Sequence, residues 1–123
     1  MPGRPRVLVV DDHPSVLSAL ARLFAQDCDV VGLLAEGREA AAEALRLQPV
    51  VAVLDLNLPD ITGLDICRQI MATNPRAKVI IISAMAVDDI REGALEAGAS
   101  GVFHKAEATN LMLAVKRMWT ESA

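Results

Sequence analysis

Short continuous apolar runs alternate along this chain with longer stretches in which apolar residues recur every three or four positions. Continuous runs are typical of strands covered on both faces of a sheet, whereas the three- and four-residue recurrence predicts helices with one buried face. The runs predict five strands, at 6–10, 30–34, 50–54, 78–82 and 101–104. The recurring stretches predict five helices, at 14–25, 38–47, 63–71, 87–97 and 107–119.

The regular alternation of strand and helix favours an α/β domain of three layers, with helices on both faces of a parallel sheet. A length of 123 residues is that of one domain. We place this domain at residues 6–120. The two prolines and one glycine of residues 1–5 predict a disordered tail, and residues 121–123 are interpreted as a tail or the start of a linker.

Four of the predicted strands end in, or just before, a reactive polar residue: Asp11 and Asp12, Asp55, Ser83, and Lys105. The carboxyl ends of parallel strands lie on one edge of a sheet, where open α/β sheets place their sites. We therefore expect three carboxylates, a hydroxyl and an ammonium to meet in one small cleft. Taken singly, each residue has an ordinary structural explanation, as a helix cap, a loop aspartate, a turn serine or a solvated lysine.

Together, these groups are the parts that phosphoryl transfer needs, because its catalysis is mostly positioning and charge neutralisation. The adjacent carboxylates of Asp11 and Asp12 repel each other, and carboxylates with carbonyl and water oxygens suit Mg²⁺. Asp55 ends a buried strand and is well placed as a phosphoryl acceptor. The Ser83 hydroxyl can donate to a phosphoryl oxygen, and the Lys105 ammonium can pair with it.

Composition and charge narrow the function classes. A net charge of −4 does not favour nucleic acid or an anionic membrane as a partner. No apolar run approaches the roughly 20 residues of a membrane span, and the first run is too short for a secretory signal. Cys28 and Cys67 form no metal spacing and no disulfide framework. The simplest compartment is a reduced cytosol, so a cytoplasmic location is expected.

As a set, the motifs resemble those of response-regulator receiver domains of the CheY-like superfamily, and especially the receivers of LuxR/FixJ-type helix-turn-helix regulators. The resemblance covers nearly the whole chain. It rests on Asp11-Asp12-His13-Pro14, Val31-Gly32, Asp55-Leu56-Asn57-Leu58-Pro59-Asp60-Ile61-Thr62-Gly63, Ser83-Ala84 and Lys105. It implies a flavodoxin-like, doubly wound sheet with strand order 2-1-3-4-5.

The resemblance also implies roles for individual residues. Asp55 would be the phosphorylation site. A Mg²⁺ or Mn²⁺ ion would be held by oxygen ligands, namely Asp12, Asp55, the backbone carbonyl of Asn57, and Asp11 in an assisting role. The phosphoryl group would be contacted by Ser83, Lys105 and the backbone of Ala84.

By the same resemblance, the chain is a two-component receiver whose phosphodonor is a histidine kinase or a phosphotransfer protein. Phosphorylation would alter the surface of the fourth helix, fifth strand and fifth helix, which could also pair two copies. The output would be transcription, through a C-terminal DNA-binding domain outside this chain, with no direct binding of nucleic acid or membrane by the chain itself. The receiver would catalyse its own phosphorylation and dephosphorylation without being a stand-alone enzyme.

Two departures from the family pattern concern the predicted fifth strand and the residue after it. Ala106 follows Lys105 where a proline is usual, although the helix-turn-helix subfamily often lacks that proline. Val102 occupies the usual position of the switch aromatic, three residues before the lysine. Phe103 is one position later, so it should point to the opposite face of the sheet. Signalling would then depend on loop and helix shifts rather than on rotation of an aromatic ring.

Three other functions remain open at this stage. A phosphorylation-independent adaptor would keep the fold and lose the chemistry. A phosphatase with an aspartyl nucleophile usually has a second aspartate where this chain has Asn57. A flavin domain is disfavoured by the absence of a Ser/Thr/Gly-rich loop after the first strand. His13 and His104 are interpreted as surface or packing residues rather than metal ligands, and Trp119 as a partly buried ring.

Overall fold

The computed structural model describes residues 3–122, and it contains five strands and five helices in strict alternation. The strands are β1 (Arg6–Val10), β2 (Asp29–Leu34), β3 (Val51–Asp55), β4 (Lys78–Ser83) and β5 (Gly101–His104). The helices are α1 (Pro14–Ala25), α2 (Ala40–Leu47), α3 (Gly63–Thr73), α4 (Arg91–Glu96) and α5 (Ala108–Ser122).

The five strands pair in parallel in the order β2-β1-β3-β4-β5. This confirms the predicted three-layer α/β fold and the implied strand order. The chain winds outward from β1 in one direction to β2 and in the other to β3, β4 and β5. The winding direction changes between β1 and β3, and open α/β sheets place their sites at the carboxyl edge of such a point.

Two apolar cores lie on the two faces of the sheet, because successive side chains of a strand point to opposite faces. Leu8 and Val10 of β1 belong to the core that includes residues of α2, α3 and α4, here called the α2–α4 core. Val7 and Val9 belong to the core that includes residues of α1 and α5, here called the α1/α5 core. The continuous apolar runs of the sequence are therefore strands buried on both faces.

Two strands of the candidate site, β3 and β4, extend one residue further at their carboxyl ends than the sequence predicts. β3 includes Asp55 and β4 includes Ser83, and both side chains are buried. In the ladders, Asp55 pairs with Ile82, and Ser83 pairs with His104. The backbone of each residue is consequently fixed by the sheet rather than by a loop.

The predicted helix at 87–97 is wrong as a single element. A 3₁₀ turn occupies Val87–Asp89, and α4 begins only at Arg91. Between them, Ile90 has φ −117° and ψ −8°, far from ideal helical values. The N–H of Asp89 and that of Ile90 donate to the carbonyls three residues earlier, at 3.2 and 3.1 Å. Asp88 and Asp89 are weak helix formers, and this favours a 3₁₀ turn over a first turn of α-helix at this point.

The second predicted helix also begins later than expected, at Ala40 instead of 38. The Asp60 carboxylate accepts the N–H of Gly37 at 3.0 Å and that of Arg38 at 2.7 Å. These bonds hold the preceding residues in the loop after β2, so the helix starts only beyond them.

The ends of the domain differ in part from the expectations. In the tail predicted at 1–5, residues 1 and 2 lie outside the described residues. Pro5 is buried, and its carbonyl accepts the N–H of Asp29 at 2.9 Å. Residue 123 of the predicted C-terminal tail also lies outside them, whereas α5 runs on to Ser122. None of the helices in the described part of the chain is long and apolar enough to span a membrane.

Candidate functional site

Three aspartates come together where β1 and β3 end. Asp11 follows β1, and its N–H donates to the carbonyl of Leu34 at 3.0 Å, which extends the β1–β2 pairing by one residue. Asp11 is 0% exposed and Asp55 is 2% exposed, while Asp12 is half-buried. The sheet thus holds two carboxylates in the interior and a third at the rim.

Lys105 brings an ammonium group to the two buried carboxylates. Its Nζ lies 3.0 Å from Oδ2 of Asp11 and 3.2 Å from Oδ2 of Asp55. Its backbone N–H donates to the carbonyl of Ser83 at 2.9 Å, which ties the end of β5 to the end of β4. Only 14% of the lysine side chain is exposed, so water and salt screen this pairing less than they screen a surface ion pair.

Burial and nearby charges of opposite sign act in opposite directions on the pKa values of Asp55 and Lys105. Burial, and then the negative charge of Asp11, raise the pKa of Asp55, and these effects outweigh the nearby Lys105 ammonium and the N–H of Asn57. Burial alone would lower the pKa of Lys105, but its contacts with Asp11 and Asp55 raise it instead. The lysine is therefore held in its charged form, and one lysine does not compensate both buried carboxylates.

The donor set fits a hard divalent cation. Oδ2 of Asp11, Oδ1 of Asp12 and Oδ2 of Asp55 are shielded from solvent, and within residues 3–122 none of them receives a hydrogen bond of acceptable geometry. Lys105 approaches two of these oxygens at ion-pair distance without such geometry. Ligand atoms of Asp11, Asp12, His13 and Asp55 all lie within 4.8 Å of one another. Carboxylate oxygens at this spacing are the ligands that Mg²⁺ or Mn²⁺ requires.

Ser83 is buried beside this cluster, and its hydroxyl already has a partner in the following loop. Its Oγ accepts the N–H of Met85 at 2.9 Å. Ala84 is an exposed residue, and its carbonyl oxygen lies 3.2 Å from Nε2 of His104. The hydroxyl of Ser83 and the Ala84 backbone thus belong to a short hydrogen-bonded turn at the end of β4.

Asn57 lies on the loop after β3, on the solvent side of the cleft. Its N–H donates to Oδ1 of Asp55 at 3.3 Å, and its side-chain amide lies 3.8 Å from the sulfur of Met85. Met85 was not predicted as part of the site, although its position two residues after a serine at a strand end could have indicated it. Its side chain is 48% exposed and contacts that of Asn57.

Val102, at the usual switch-aromatic position, and Phe103, one residue later, point to opposite faces of the sheet, as predicted. Val102 is 7% exposed and belongs to the α2–α4 core. Phe103 packs against the α1/α5 core, and its ring lies close to Gly101. Val102 has no polar atom and Phe103 is on the wrong face, so neither can follow the Ser83 hydroxyl as a rotating tyrosine would.

The two histidines contribute more to the site than their interpretation as surface or packing residues implies. Nδ1 of His13 lies 3.2 Å from Oδ1 of Asp11 and 3.2 Å from Oδ1 of Asp12, although 61% of its side chain is exposed. Its position next to the two aspartates was the available signal. No local signal indicated the contact between His104 and Ala84, because it depends on the pairing of β4 with β5.

The loop after β3 is held close to the site by a capped helix start. The Thr62 hydroxyl accepts the N–H of Asp65 at 3.2 Å and caps α3. A Cβ on Gly63 would lie 2.5 Å from the carbonyl oxygen of Asp55. Only glycine permits this close approach, so α3 begins in direct contact with the backbone of the candidate acceptor.

Comparison with known sequences identifies the family of this chain. The profile of the response regulator receiver domain matches residues 7–116. The chain belongs to this family. The confirmed strand order is that of the CheY-like fold.

Curated relatives of this receiver domain include regulators and enzymes. It is 35% identical over 116 residues to the response regulator GacA of Pseudomonas protegens, covering 92% of this chain and 54% of the relative. It is 38% identical over 98 residues to the DNA-binding transcriptional activator DevR/DosR of Mycobacterium tuberculosis, covering 78% and 45%. It is 38% identical over 107 residues to a protein-glutamate methylesterase/protein-glutamine glutaminase of Methanospirillum hungatei, covering 84% and 31%. This receiver thus spans about half, or less, of each relative's length.

Solved structures show the same fold. The signal receiver domain of the response regulator NarL from Mycobacterium tuberculosis matches with a TM-score of 0.88 and 29% identity, covering 94% of this chain and 96% of that one. A LuxR-family response regulator from Aurantimonas matches with a TM-score of 0.90 and 29% identity, covering 97% and 87%. These matches support the similarity to LuxR-type receivers that the motifs indicated.

Proposed function

We propose that this receiver accepts a phosphoryl group on Asp55 and so acts as a phosphorylation-controlled switch in two-component signalling. The observation that carries the proposal is the carboxylate of Asp55, which is buried at the end of β3 beside further carboxylates and one ammonium. Burying several carboxylates together costs free energy unless each charge is paired. Such clusters of buried ionisable groups occur mainly at functional sites.

In the proposed reaction, a carboxylate oxygen of Asp55 attacks the phosphorus of a phosphohistidine on a histidine kinase or phosphotransfer protein. The new O–P bond forms as the donor's N–P bond breaks, and the departing imidazole nitrogen keeps the electron pair and takes a proton from solvent. Hydrolysis of the acyl phosphate by water later restores the carboxylate and releases phosphate. Both steps occur within the receiver, which we do not class as a stand-alone enzyme.

The attacking carboxylate must be ionised, although burial and Asp11 raise its pKa. A bound Mg²⁺ or Mn²⁺ would supply the positive charge that favours ionised Asp55 and neutralises the incoming phosphoryl oxygens. We propose Asp12, Asp55, the backbone carbonyl of Asn57 and, in an assisting role, Asp11 as its ligands. Within the described residues, one oxygen of each of the three aspartates receives no hydrogen bond, which supports this set.

We propose that three groups contact the phosphoryl group once it is attached. Lys105, already 3.2 Å from Oδ2 of Asp55, pairs with a phosphoryl oxygen as a point charge. The Ser83 hydroxyl turns toward it and donates to it, together with the backbone N–H of Ala84, and in this proposed movement Oγ of Ser83 leaves the N–H of Met85. The phosphoryl group would thereby shift an existing equilibrium of the loop after β4.

The surface formed by α4, β5 and α5 would report this shift, by pairing two receivers or by contacting an output domain. Since this chain spans 54% of GacA and 45% of DevR/DosR, we propose that the output is transcription through a C-terminal DNA-binding domain outside it. Direct nucleic-acid binding is not proposed for a chain of net charge −4. The expected location is the cytoplasm, where the kinase would act.

The first experiment is intact-mass measurement after incubation with acetyl phosphate and Mg²⁺. The expected result is a gain of one phosphoryl group, which is lost with EDTA and in Asp55→Asn. Asp88→Asn is the matched control, because Asp88 is 94% exposed and lies outside the cleft, and it should label like the unmodified protein. Stoichiometric labelling of Asp55→Asn at another residue would contradict the proposal.

A second candidate function is a phosphorylation-independent adaptor that uses the same fold. The observation in its favour is Val102, which stands buried where a switch aromatic is usual. Absence of labelling with acetyl phosphate and with small phosphoramidate donors, in a folded protein that binds Mg²⁺, would favour this function over the first.

A further inference from the structure

The peptide unit between Ala84 and Met85 is held at both of its ends. Its N–H, which belongs to Met85, donates to Oγ of Ser83 at 2.9 Å. Its carbonyl, which belongs to Ala84, lies 3.2 Å from Nε2 of His104. One rigid peptide plane therefore connects the hydroxyl at the end of β4 to an imidazole at the end of β5.

A second contact of the imidazole determines which nitrogen carries the proton. The N–H of Ala106 points at Nδ1 of His104 at 3.0 Å. A nitrogen that accepts from a backbone N–H carries no proton of its own, so a neutral ring must be protonated at Nε2. In this tautomer Nε2 donates to the carbonyl of Ala84, and both contacts of the ring are hydrogen bonds.

The backbone of His104 is equally well anchored. Its N–H donates to Oε1 of Glu107 at 2.9 Å, and its carbonyl accepts the N–H of Glu107 at 2.9 Å. In the ladder His104 pairs with Ser83. The backbone of His104 is thus tied to β4 and to Glu107, the residue before α5, while the peptide that the imidazole holds belongs to the loop after β4.

We propose that His104 is a positioning residue that couples the Ser83 hydroxyl to β5 and α5, in place of the aromatic that Val102 cannot supply. This inference rests on the proposed function of Asp55 and Ser83. Turning Ser83 toward a phosphoryl group removes the acceptor of the Met85 N–H, and movement of the loop with Ser83 also separates the Ala84 carbonyl from Nε2 of His104. The imidazole therefore restrains the loop in its unphosphorylated arrangement, and its loss makes the movement easier.

Three substitutions separate this role from simple packing. His104→Gln places an amide N–H near the position of Nε2 and keeps a donor for Ala84. His104→Asn is too short to reach Ala84 but keeps an acceptor near the N–H of Ala106. His104→Leu removes both hydrogen bonds while keeping an apolar side chain of intermediate length. The circular dichroism spectrum and urea midpoint of each variant show whether it folds.

The probe is beryllofluoride with Mg²⁺, a stable mimic of an attached phosphoryl group, titrated while the Met85 and Ala106 amides are followed by NMR. His104→Leu and His104→Asn are expected to reach half-saturation at roughly fivefold lower beryllofluoride than the unmodified protein, the effect of losing one hydrogen bond from the competing state. His104→Gln is expected to stay within about twofold of the unmodified protein. Imidazole ¹⁵N shifts should show Nε2 protonated and Nδ1 unprotonated before beryllofluoride is added.

Equal or weaker binding by His104→Leu and His104→Asn would overturn the coupling, as would a His104→Gln variant that behaves like them. A ring protonated at Nδ1 in the unmodified protein would overturn it before any titration. If the unmodified protein and every variant fail to bind beryllofluoride, this result contradicts the proposed function of Asp55 and, with it, the coupling. Binding with unchanged midpoints contradicts the coupling alone.

Discussion

Asp55 and Asp11 are buried near each other, and each has a carboxylate oxygen that receives no hydrogen bond from the described residues. Lys105 approaches both, but a single ammonium cannot neutralise two carboxylates. Ionised Asp55 is therefore a source of instability in the metal-free domain, since burial and Asp11 both favour its neutral form. A site that binds a cation and a phosphoryl group is expected to have this strain before it is filled.

Replacing the acceptor should consequently stabilise the metal-free protein. Asp55→Asn keeps the shape of the side chain and removes its charge, and we expect the melting temperature at neutral pH to rise by a few degrees, the size of a common single-residue effect. Thermal unfolding in EDTA measures the difference, with Asp88→Asn as the exposed control that should leave it unchanged. A destabilised Asp55→Asn protein would show that the pairing with Lys105 outweighs burial and repulsion.

The same carboxylate predicts a pH dependence. The pKa of Asp55 is raised in the folded state. Its contribution to the free energy of unfolding is therefore most favourable at low pH, where it is protonated in both the folded and the unfolded state. That contribution is lost as the pH rises through the raised value. The stability advantage of Asp55→Asn over the unmodified protein should therefore grow from about pH 4 upward and then level off. Urea unfolding in EDTA across this range tests the trend, and a constant difference would contradict it.

At the scale of the elements, the start of α3 is the part most tightly linked to the site. Its first residue, Gly63, leaves no room for a side chain, because a Cβ would lie 2.5 Å from the carbonyl oxygen of Asp55 and 3.1 Å from Cα of Leu56. The atoms in the way belong to the backbone and cannot rotate aside. α3 and β3 therefore have to separate if this glycine is replaced.

Gly63→Ala is expected to destabilise the domain by roughly 1–3 kcal/mol, the usual cost of overpacking a closed site, and to weaken Mg²⁺ binding by displacing the Asp55 backbone. Gly93→Ala is the matched control. It lies within α4, and its Cβ would meet only Cδ1 of Leu64 at 3.7 Å, an ordinary contact. There alanine should stabilise by about 0.5–1 kcal/mol through helix propensity. Urea unfolding of both variants checks the contrast, which equal effects would contradict.

At the scale of the whole molecule, the site lies where the four strands β1, β3, β4 and β5 end. A cation that bridges Asp11, Asp12 and Asp55 would link the ends of two central strands and bind only the folded protein. Binding of that kind stabilises by mass action. The same ion would also remove the carboxylate repulsion.

Addition of Mg²⁺ should therefore raise the melting temperature. At a concentration one hundred times the dissociation constant the gain is about 2.7 kcal/mol, which corresponds to several degrees for a domain of this size. Asp12→Asn should lose most of the gain, and Asp88→Asn should keep it. Differential scanning calorimetry in Mg²⁺ and in EDTA measures both, and an unchanged melting temperature in excess Mg²⁺ would count against the metal site.

Much of this architecture could be predicted because the strands and helices produce local patterns of apolar residues in the sequence. Buried strands such as β1 and β4 are continuous apolar runs, and the helices have three- and four-residue periodicity, so each was placed to within a few residues. The helix at 87–97 was misjudged because its first turn tightens around Asp88 and Asp89. The late start of α2 could not be anticipated, since it depends on Asp60, which lies more than twenty residues away in the sequence.

The sequence by itself determined which residues end the strands and therefore which chemical groups the carboxyl edge can offer. A strand's apolar run and the polar residue after it are neighbours in the chain, and a parallel sheet aligns such ends. Only the tertiary structure decided how those groups meet. It buried Asp11 and Asp55 beside Lys105, and it set Ser83 opposite His104 so that the imidazole meets the Ala84 carbonyl. Contacts between residues distant in sequence depend on strand order and register, which are fixed when both faces of the sheet are packed.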